Sequence, residues 1–417
     1  MTNPFFNLPK NWRISRLDRI ASVHARIGWK ALTAAEYQHH GYAFLATPNI
    51  KEREIDFRNV NFITAYRYNE SPELRLKVDD VLLVKDGNTL GITNIVRHLP
   101  RPATVNGSIA VLRPFGVNSA FLMYVLASSS TQGKISAVKD GMGVPHLFQA
   151  DIKKFPIPLP PVEEQRRIAD FLDLETSQID HMISLRKLQS EIIKEKRQNS
   201  IEEIFSKLKP NNGVRLKRLL RSRPRYGVLV PEFVNNGVPF IRVNDLTDLE
   251  SRIDHLPCIP EALSAQYKAT KIREGDLLVS VVGTIGRTSL APRSAIGANV
   301  ARAVAVLRAT PGISIELIRT WISSRNFVEQ ALKATASDSA QRTLGMEDLS
   351  NFVVPWPDDS KSQQEMTIRA KRIEDDCRLL DALAARQIDL LAERRQALIT
   401  AAVNGQLDVT TARSGVR

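Results

Sequence analysis

Two stretches of the chain repeat apolar residues at helical spacing with nothing to interrupt them. Residues 162–209 and 358–404 contain neither Gly nor Pro and are rich in Glu, Arg, Lys, Gln, Leu and Ala, the strong helix formers. In the first, Ile168, Leu172, Ile179, Met182, Leu185, Leu188, Ile192 and Ile193 recur at steps of about three, four or seven. In the second, Ile373, Cys377, Leu380, Leu383, Leu391 and Leu398 do the same. The pattern predicts two long amphipathic helices with coiled-coil-like seams, each on the order of 70 Å long. Pro210 is placed to follow the first and Gly405 to cap the second. A helix with one apolar stripe must bury it. The parsimonious partner is the other helix, in an antiparallel pair; the alternative is that each packs only on its own globular neighbour.

Ahead of each helix the pattern changes to short β-branched runs separated by Gly turns, such as Asp80-Val-Leu-Leu-Val84 and Asp276-Leu-Leu-Val-Ser-Val-Val282. These two regions are copies. An offset of 195 residues superimposes Leu82-Leu83-Val84 on Leu277-Leu278-Val279, and Thr89, Gly91 and Thr93 on Thr284, Gly286 and Thr288. It also superimposes Ala110-Val-Leu-Arg113 on Ala305-Val-Leu-Arg308 and Ser128-Ser129 on Ser323-Ser324, with 16 identities in 48 positions over residues 82–129. An offset of 197 brings Leu147, Asp151, Phe155, Pro158 and Pro160 onto Leu344, Asp348, Phe352, Pro355 and Pro357. Each copy ends in a short helix (120–129; 315–330) and a Pro-marked exit, Phe155-Pro-Ile-Pro-Leu-Pro-Pro161 and Phe352-Val-Val-Pro-Trp-Pro357, which forbids helix continuation.

Composition narrows the class of protein. The 417 residues allow two or three domains. No apolar run is long enough to span a membrane, the N-terminus lacks a secretory pattern, and Cys258 and Cys377 form no disulfide framework. A cytoplasmic location is the expectation. Lys and Arg exceed Asp and Glu by 58 to 45, a net +13, which favours a polyanionic partner, most often nucleic acid. The excess is uneven: between Glu203 and Glu232 there is no acid, but Lys207, Lys209, Arg215, Lys217, Arg218, Arg221, Arg223 and Arg225 all fall there. A solvated junction between domains is the plainer account of that run.

Catalytic patterns are missing. There is no phosphate-binding Gly-x-x-x-x-Gly-Lys-Ser/Thr loop, and Gly283-Thr-Ile-Gly286 reads as a turn between strands. The seven histidines have no metal-ligand spacing. Asn3-Pro4-Phe5-Phe6 lacks the second Pro of the amino-methyltransferase motif, and Glu191, Lys194 and Glu195 read as helix surface.

The helix opening Pro158-Leu-Pro-Pro-Val-Glu-Glu-Gln-Arg-Arg-Ile-Ala-Asp-Phe-Leu-Asp173 resembles that of the specificity subunits of type I restriction-modification systems. The ending Glu393-Arg-Arg-Gln-Ala-Leu-Ile-Thr-Ala-Ala-Val-Asn-Gly-Gln-Leu407 is similar to the family's C-terminal ending. In the second copy, Trp356-Pro-Asp-Asp-Ser-Lys-Ser-Gln-Gln-Glu-Met-Thr-Ile368 keeps the Gln and Ile but not the Pro-Pro or Ala, a departure that bears on the entry angle of that helix. The resemblance implies an α+β chain with two target recognition domains in tandem duplication, separated by two long helices that form an antiparallel coiled coil. The expected layout is target recognition domain 1 over residues 1–155, a central spacer helix over 156–209, target recognition domain 2 over 210–356, and a C-terminal spacer helix and tail over 357–417.

The same resemblance implies a non-catalytic reader of double-stranded DNA. Each domain binds one half of a split, asymmetric site, and the helices set the spacing and dock two methyltransferase subunits. It implies no cofactor in this chain: S-adenosylmethionine belongs to the methyltransferase partner, and ATP and magnesium to the restriction subunits. Phosphate contacts call for Lys and Arg, and base contacts for Arg, Asn, Gln, Ser and Thr on loops. The candidates in the first module are Lys85, Asn88, Arg97, Arg101, Lys134 and Lys139. Those in the second are Arg223, Arg225, Tyr226, Arg242, Asn244, Arg287, Gln341, Arg342 and Thr343. For each one the plainer account is an exposed, solvating side chain. The competing classes are an autonomous restriction-methylation enzyme, opposed by the missing motifs, and a coiled-coil scaffold that binds nucleic acid without sequence preference.

Overall fold

The computed structural model describes residues 8–25, 32–139, 145–209, 213–336 and 342–409. It divides into two compact units, Met1–Arg186 with Arg386–Arg417, and Lys187–Ala385. The long helices predicted from periodicity are present as Val162–Ser206 and Ser360–Val403, and each contributes one half to each unit. Gly405, at φ +69°, terminates the second as expected.

In the first unit the strands are β1 (Arg13–Arg16), β2 (Ala21–His24), β3 (Tyr42–Leu45), β4 (Asn61–Ile63), β5 (Val81–Val84), β6 (Thr93–Ile95), β7 (Ala103–Val105), β8 (Ile109–Pro114) and β9 (Pro156–Leu159). They form an antiparallel sheet ordered β2-β8-β5-β6, a sheet ordered β4-β3-β7 in which β3 and β7 run parallel, and the pair β1-β9. The second unit has β10 (Gly213–Arg215), β11 (Val238–Ile241), β12 (Cys258–Ile259), β13 (Leu277–Ser280), β14 (Thr288–Leu290), β15 (Asn299–Val300), β16 (Val304–Leu307) and β17 (Val353–Pro355). Its sheets β14-β13-β16 and β12-β11-β15 and its pair β10-β17 repeat that plan. The place of β2 is taken by a segment bridging at Leu220–Ala309 and Tyr226–Ala305. The duplication is therefore one of fold as well as sequence.

Strand pairing corrects the sequence alignment in one place. Leu82 lies opposite Val111 and Leu278 opposite Val306, so in this strand the equivalent offset is 196, not 195. The consequence is a change of face. Val81 and Leu83 join the core under the helices while Leu82 and Val84 join the core between the sheets; Leu277 and Val279 match the former and Leu278 the latter. A slip of one residue would exchange every one of these side chains between cores. The offset returns to 195 at Gly91 and Gly286, whose N–H groups close the two turns on Val84 and Ser280 at 2.9 Å. The turn in the first module is thus one residue longer.

Both modules keep the same buried ion pair. Arg113 donates to both oxygens of Asp80 at 2.8 and 2.9 Å and to the Arg75 carbonyl. Arg308 donates to both oxygens of Asp276 at 2.8 and 3.0 Å and to the Ala269 and Lys271 carbonyls. The carboxylates are almost wholly buried, and each also accepts a backbone N–H, from Lys77 or Arg273. Such a two-point bond fixes the end of β8 or β16 against the preceding loop.

A second shared device joins each module to a long helix. Gln165 accepts the N–H of Asn118 at 2.8 Å and donates to the Pro160 carbonyl. Gln363 accepts the N–H of Ser314 at 3.3 Å and donates to the Gly312 carbonyl. Asn118 and Ser314 are the N-caps of equivalent helices, Ser119–Ala127 and Ile315–Ile322. Each of these ends at the duplicated Ser-Ser pair, where a further helix begins (Ser129–Lys139; Arg325–Ala334), in place of the single short helix expected. The lost Pro-Pro of the second copy is replaced by Asp359, whose carboxylate accepts the Ser362 N–H and hydroxyl; these bonds hold it below the ordinary carboxylate pKa.

The helix seam runs antiparallel within each unit. In the first, Ile168, Ala169 and Leu172 share a core with Ile399, Ala402 and Val403, and Asp180 pairs with Arg395 at 3.2 Å. In the second, Ser190 donates to Asp381, Arg197 to Glu374 and Arg369 to Glu203. The first helix's numbers rise as its partner's fall. Met182, Leu185, Leu188, Ile192, Leu380 and Leu383, expected in the seam, are instead exposed. Ile183, Ile193 and Ala384 are buried, and polar pairs fill the positions between them.

Asp80→Ala or Asp276→Ala leaves a half-buried guanidinium without its counter-charge, a loss of about 3–5 kcal/mol. Hydrogen exchange followed by mass spectrometry is expected to show faster exchange in β5 and β8 for the first variant and in β13 and β16 for the second. Leu substitution of both partners in one module should restore most of the protection.

Candidate nucleic-acid interface

In the second unit, backbone bonds gather segments far apart in sequence around the turn that follows β13. Val281 donates its N–H to Ala303 and Leu344 donates to Val281, both at 2.8 Å, while Gly283 donates to the Arg342 carbonyl at 3.1 Å. Val282 and Thr343 form a β-bridge, and the Tyr226 hydroxyl donates to the Leu344 carbonyl. Gly283 and Gly286 have φ of +72° and +88°, a conformation that favours glycine. The turn ending in Arg287 is therefore held beside Tyr226 and Arg342-Thr343, as a set.

This set is rich in uncommitted positive charge. Arg223, Arg225, Arg287, Arg302 and Arg342 have no ion pair or side-chain hydrogen bond among the described residues, whereas Arg242, Arg252, Arg293, Arg308 and Arg319 are all paired. Arg302 was not a candidate from the sequence. It enters because its N–H donates to Val228 at 2.9 Å, a long-range contact that no local spacing announces. Asn244 is exposed on the turn after β11, next to Arg242, whose guanidinium lies on Asp245 at 3.0 Å. Gln341 lies outside the described residues.

The first module places its candidates differently. Lys85 is only 7% exposed and its ammonium rests on Asp86 at 3.3 Å; Asp86 also bonds His146. Asn88 is exposed on the turn. Arg97 reaches the first long helix, where Asp173 holds it at 2.6 Å and also accepts from the Tyr124 hydroxyl. Burial and that carboxylate push the Tyr124 phenol far above its usual pKa. Arg101 lies over the Phe62 ring at 5.5 Å. Lys134 is half-buried on helix Ser129–Lys139, and burial lowers its pKa; Lys139 is that helix's last residue. Asn88 and Arg97 line one cleft of about 1120 Å³ with Arg53, Arg395, Asp173 and Asp180. Arg53 and Arg395 share Asp180 at 3.0 and 3.2 Å, so this cleft is close to neutral.

No group of His, Cys, Asp and Glu with metal-binding geometry occurs among the described residues, and no described helix is long and apolar enough to cross a membrane. Residues 9–203 match the model of the type I restriction modification DNA specificity domain. The chain is 29% identical over 405 residues to the type I restriction enzyme EcoBI specificity subunit of Escherichia coli, spanning 89% of this chain and 81% of that one. It is 23% identical over 401 residues to the EcoKI specificity subunit of Escherichia coli strain K12, spanning 88% and 82%. A chain of a solved type I restriction-modification system, described for its assembly and conformational transition, shares the fold with a TM-score of 0.66 at 18% identity, covering 96% of this chain and all of that one. The two copies of one module, each bound to a long helix through an equivalent Gln, thus accompany a similarity to type I restriction-modification specificity subunits that runs along most of the chain.

Proposed function

We propose that this chain is the DNA-reading subunit of a type I restriction-modification complex, with each module recognising one half of a split, asymmetric site. The observation that carries this reading is the pairing of a conserved frame with a divergent turn. The two modules share strand order, the buried Arg–Asp pair and the Gln joint. They differ in length and charge at the turn after β5 or β13, where one carries Lys85, Asp86 and Asn88 and the other Arg287 beside Arg342. A scaffold indifferent to sequence would have no use for two modules that keep one frame and diverge at this turn.

The long helices are the spacer and the docking surface in this reading. A continuous helix fixes distance and phase, as a flexible linker does not. Their exposed apolar residues, Leu174, Met182, Leu185 and Leu390 in one unit and Leu188, Ile192, Leu379, Leu380 and Leu383 in the other, are the surface for methyltransferase subunits. The chain itself supplies recognition and no chemistry. S-adenosylmethionine is held by the methyltransferase subunits, and ATP and magnesium by the restriction subunits.

Methylated-base sequencing of DNA from cells with this chain and its methyltransferase partner should reveal a split motif with modified adenines. Deleting this chain alone should abolish it, and an unchanged methylome overturns the proposal. Four residues inserted after Gln189, with four after Asp381 to keep the seam matched, add about 6 Å of helix. The unread spacer should lengthen by about one or two base pairs, at ~3.4 Å each, with both half-sites retained. Leu188→Glu with Ile192→Glu should sharply reduce co-purification of the methyltransferase subunit while leaving the circular dichroism spectrum unchanged.

A further inference from the structure

The second unit carries an apolar loop that the fold holds firmly at both ends and leaves exposed at its tip. At its start, Val228 donates to the Val300 carbonyl at 2.8 Å and accepts from Arg302 at 2.9 Å. A Cβ on Gly227 would stand 2.0 Å from the Val300 carbonyl oxygen, so only glycine allows this approach. At its end, Val234 donates to the Cys258 carbonyl at 3.0 Å, and a Cβ on Gly237 would meet the Ile259 carbonyl oxygen at 2.3 Å. Phe233 packs edge-on against buried Phe240. Between these roots Leu229 is 55% and Val230 76% exposed, and neither belongs to a core.

A loop tip need not present adjacent aliphatic side chains to water, and here they precede Pro231, which stiffens the backbone. The charges around it are a second, independent observation. Arg223 and Arg225 precede the loop and Arg302 sits at its root, none of them with a side-chain partner among the described residues; Glu232 is the one acid in the loop. An apolar tip, with uncommitted arginines in the segment before it and at its root, is complementary to a polyanion with an apolar interior. Duplex DNA has that chemistry, with phosphates outside and stacked bases within.

We propose that Leu229 and Val230 form a wedge that enters the base stack when the second module binds its half-site. This rests on the DNA-reading role proposed above. Arg223, Arg225 and Arg302 neutralise the flanking phosphates, and the two fixed roots let the tip enter without ordering a floppy loop. Unstacking depends on the base step, so the wedge adds selectivity at a position where no side chain needs a hydrogen bond to a base.

The test uses the complex co-purified with its methyltransferase subunits and duplexes carrying the methylated motif, with 2-aminopurine placed in turn at each step in and beside the second half-site. The unaltered complex should raise the fluorescence at one step. Leu229→Ser with Val230→Ser should lose that rise and bind the motif weaker by on the order of tenfold or more, while keeping its methyltransferase subunits and its discrimination at the first half-site. No rise at any step in the unaltered complex overturns the wedge, and so does unchanged affinity in the variant. Loss of the methyltransferase subunits from the variant also overturns it, because the loop is then a protein-docking surface. Arg287→Ala with Arg342→Ala separates the two proposals. If this variant weakens binding and the loop variant does not, the wedge alone fails; if neither alters binding or site choice, the DNA-reading role of the module fails with it.

Discussion

In neither module do its own residues close the core that lies under the helices. In the first unit, Ile168 and Leu172 from one long helix and Ile399, Ala402 and Val403 from the other join the cluster built on Val81, Leu83, Ala110 and Leu112. In the second, Ile201, Ile204 and Phe205 from the first helix and Ala370 from the second join Leu277, Val279, Ala305 and Leu307. Burial of apolar surface is the main force that folds a domain, and here it can be completed only when two segments from distant sequence are in place. The equivalent joints confirm how general the constraint is. Ser129 donates its N–H to Thr400 of the second long helix, and Arg325, which likewise opens the further helix in the copy, donates its N–H to Glu202 of the first.

This dependence explains what the sequence disclosed and what it withheld. Gly- and Pro-free stretches announced both long helices, and the identities around Ala110-Val-Leu-Arg113 and Ala305-Val-Leu-Arg308 announced the duplication. The register of one strand was lost because Leu82-Leu83-Val84 matches Leu277-Leu278-Val279 by identity when the paired positions lie one residue later. Identity counts residues; the fold counts faces. The seam was misread in a related way. A search for apolar periodicity favours Met182, Leu185, Leu188 and Ile192, and it passes over Ser190 and Arg197, which face Asp381 and Glu374. The polar pairs supply register between helices, a role that hydropathy does not record.

The candidate interface was legible to the same degree. Runs of positive charge pointed to residues 223–225, and the Gly turn pointed to Arg287, and these arginines, like Arg342, have no side-chain partner among the described residues. Lys85 carries the same formal charge, but its neighbour Asp86 and the surrounding sheet take it out of water. Arg97 and Arg53 bind carboxylates of the first long helix, so their charge is spent on joining module to helix. Whether a cation is free is a property of the tertiary fold, and composition gives only the total.

The division of labour among arginines also separates what the fold depends on from what it leaves free to vary. Arg113 and Arg308 are fixed by two hydrogen bonds to buried Asp80 and Asp276, and by backbone carbonyls around them. Their loss is costly because a buried charge is left behind. Arg287 ends a turn, and Arg342 lies on the segment bonded to it, whose backbone hydrogen bonds do not involve either side chain, so a change of side chain there leaves the frame intact. The turn in the first module differs in length as well as in charge, yet Gly91 and Gly286 close both onto the same strand position. Side chains at the turn can therefore change while the Arg–Asp pair, the Gln joint and the helix-completed core keep each module in one conformation.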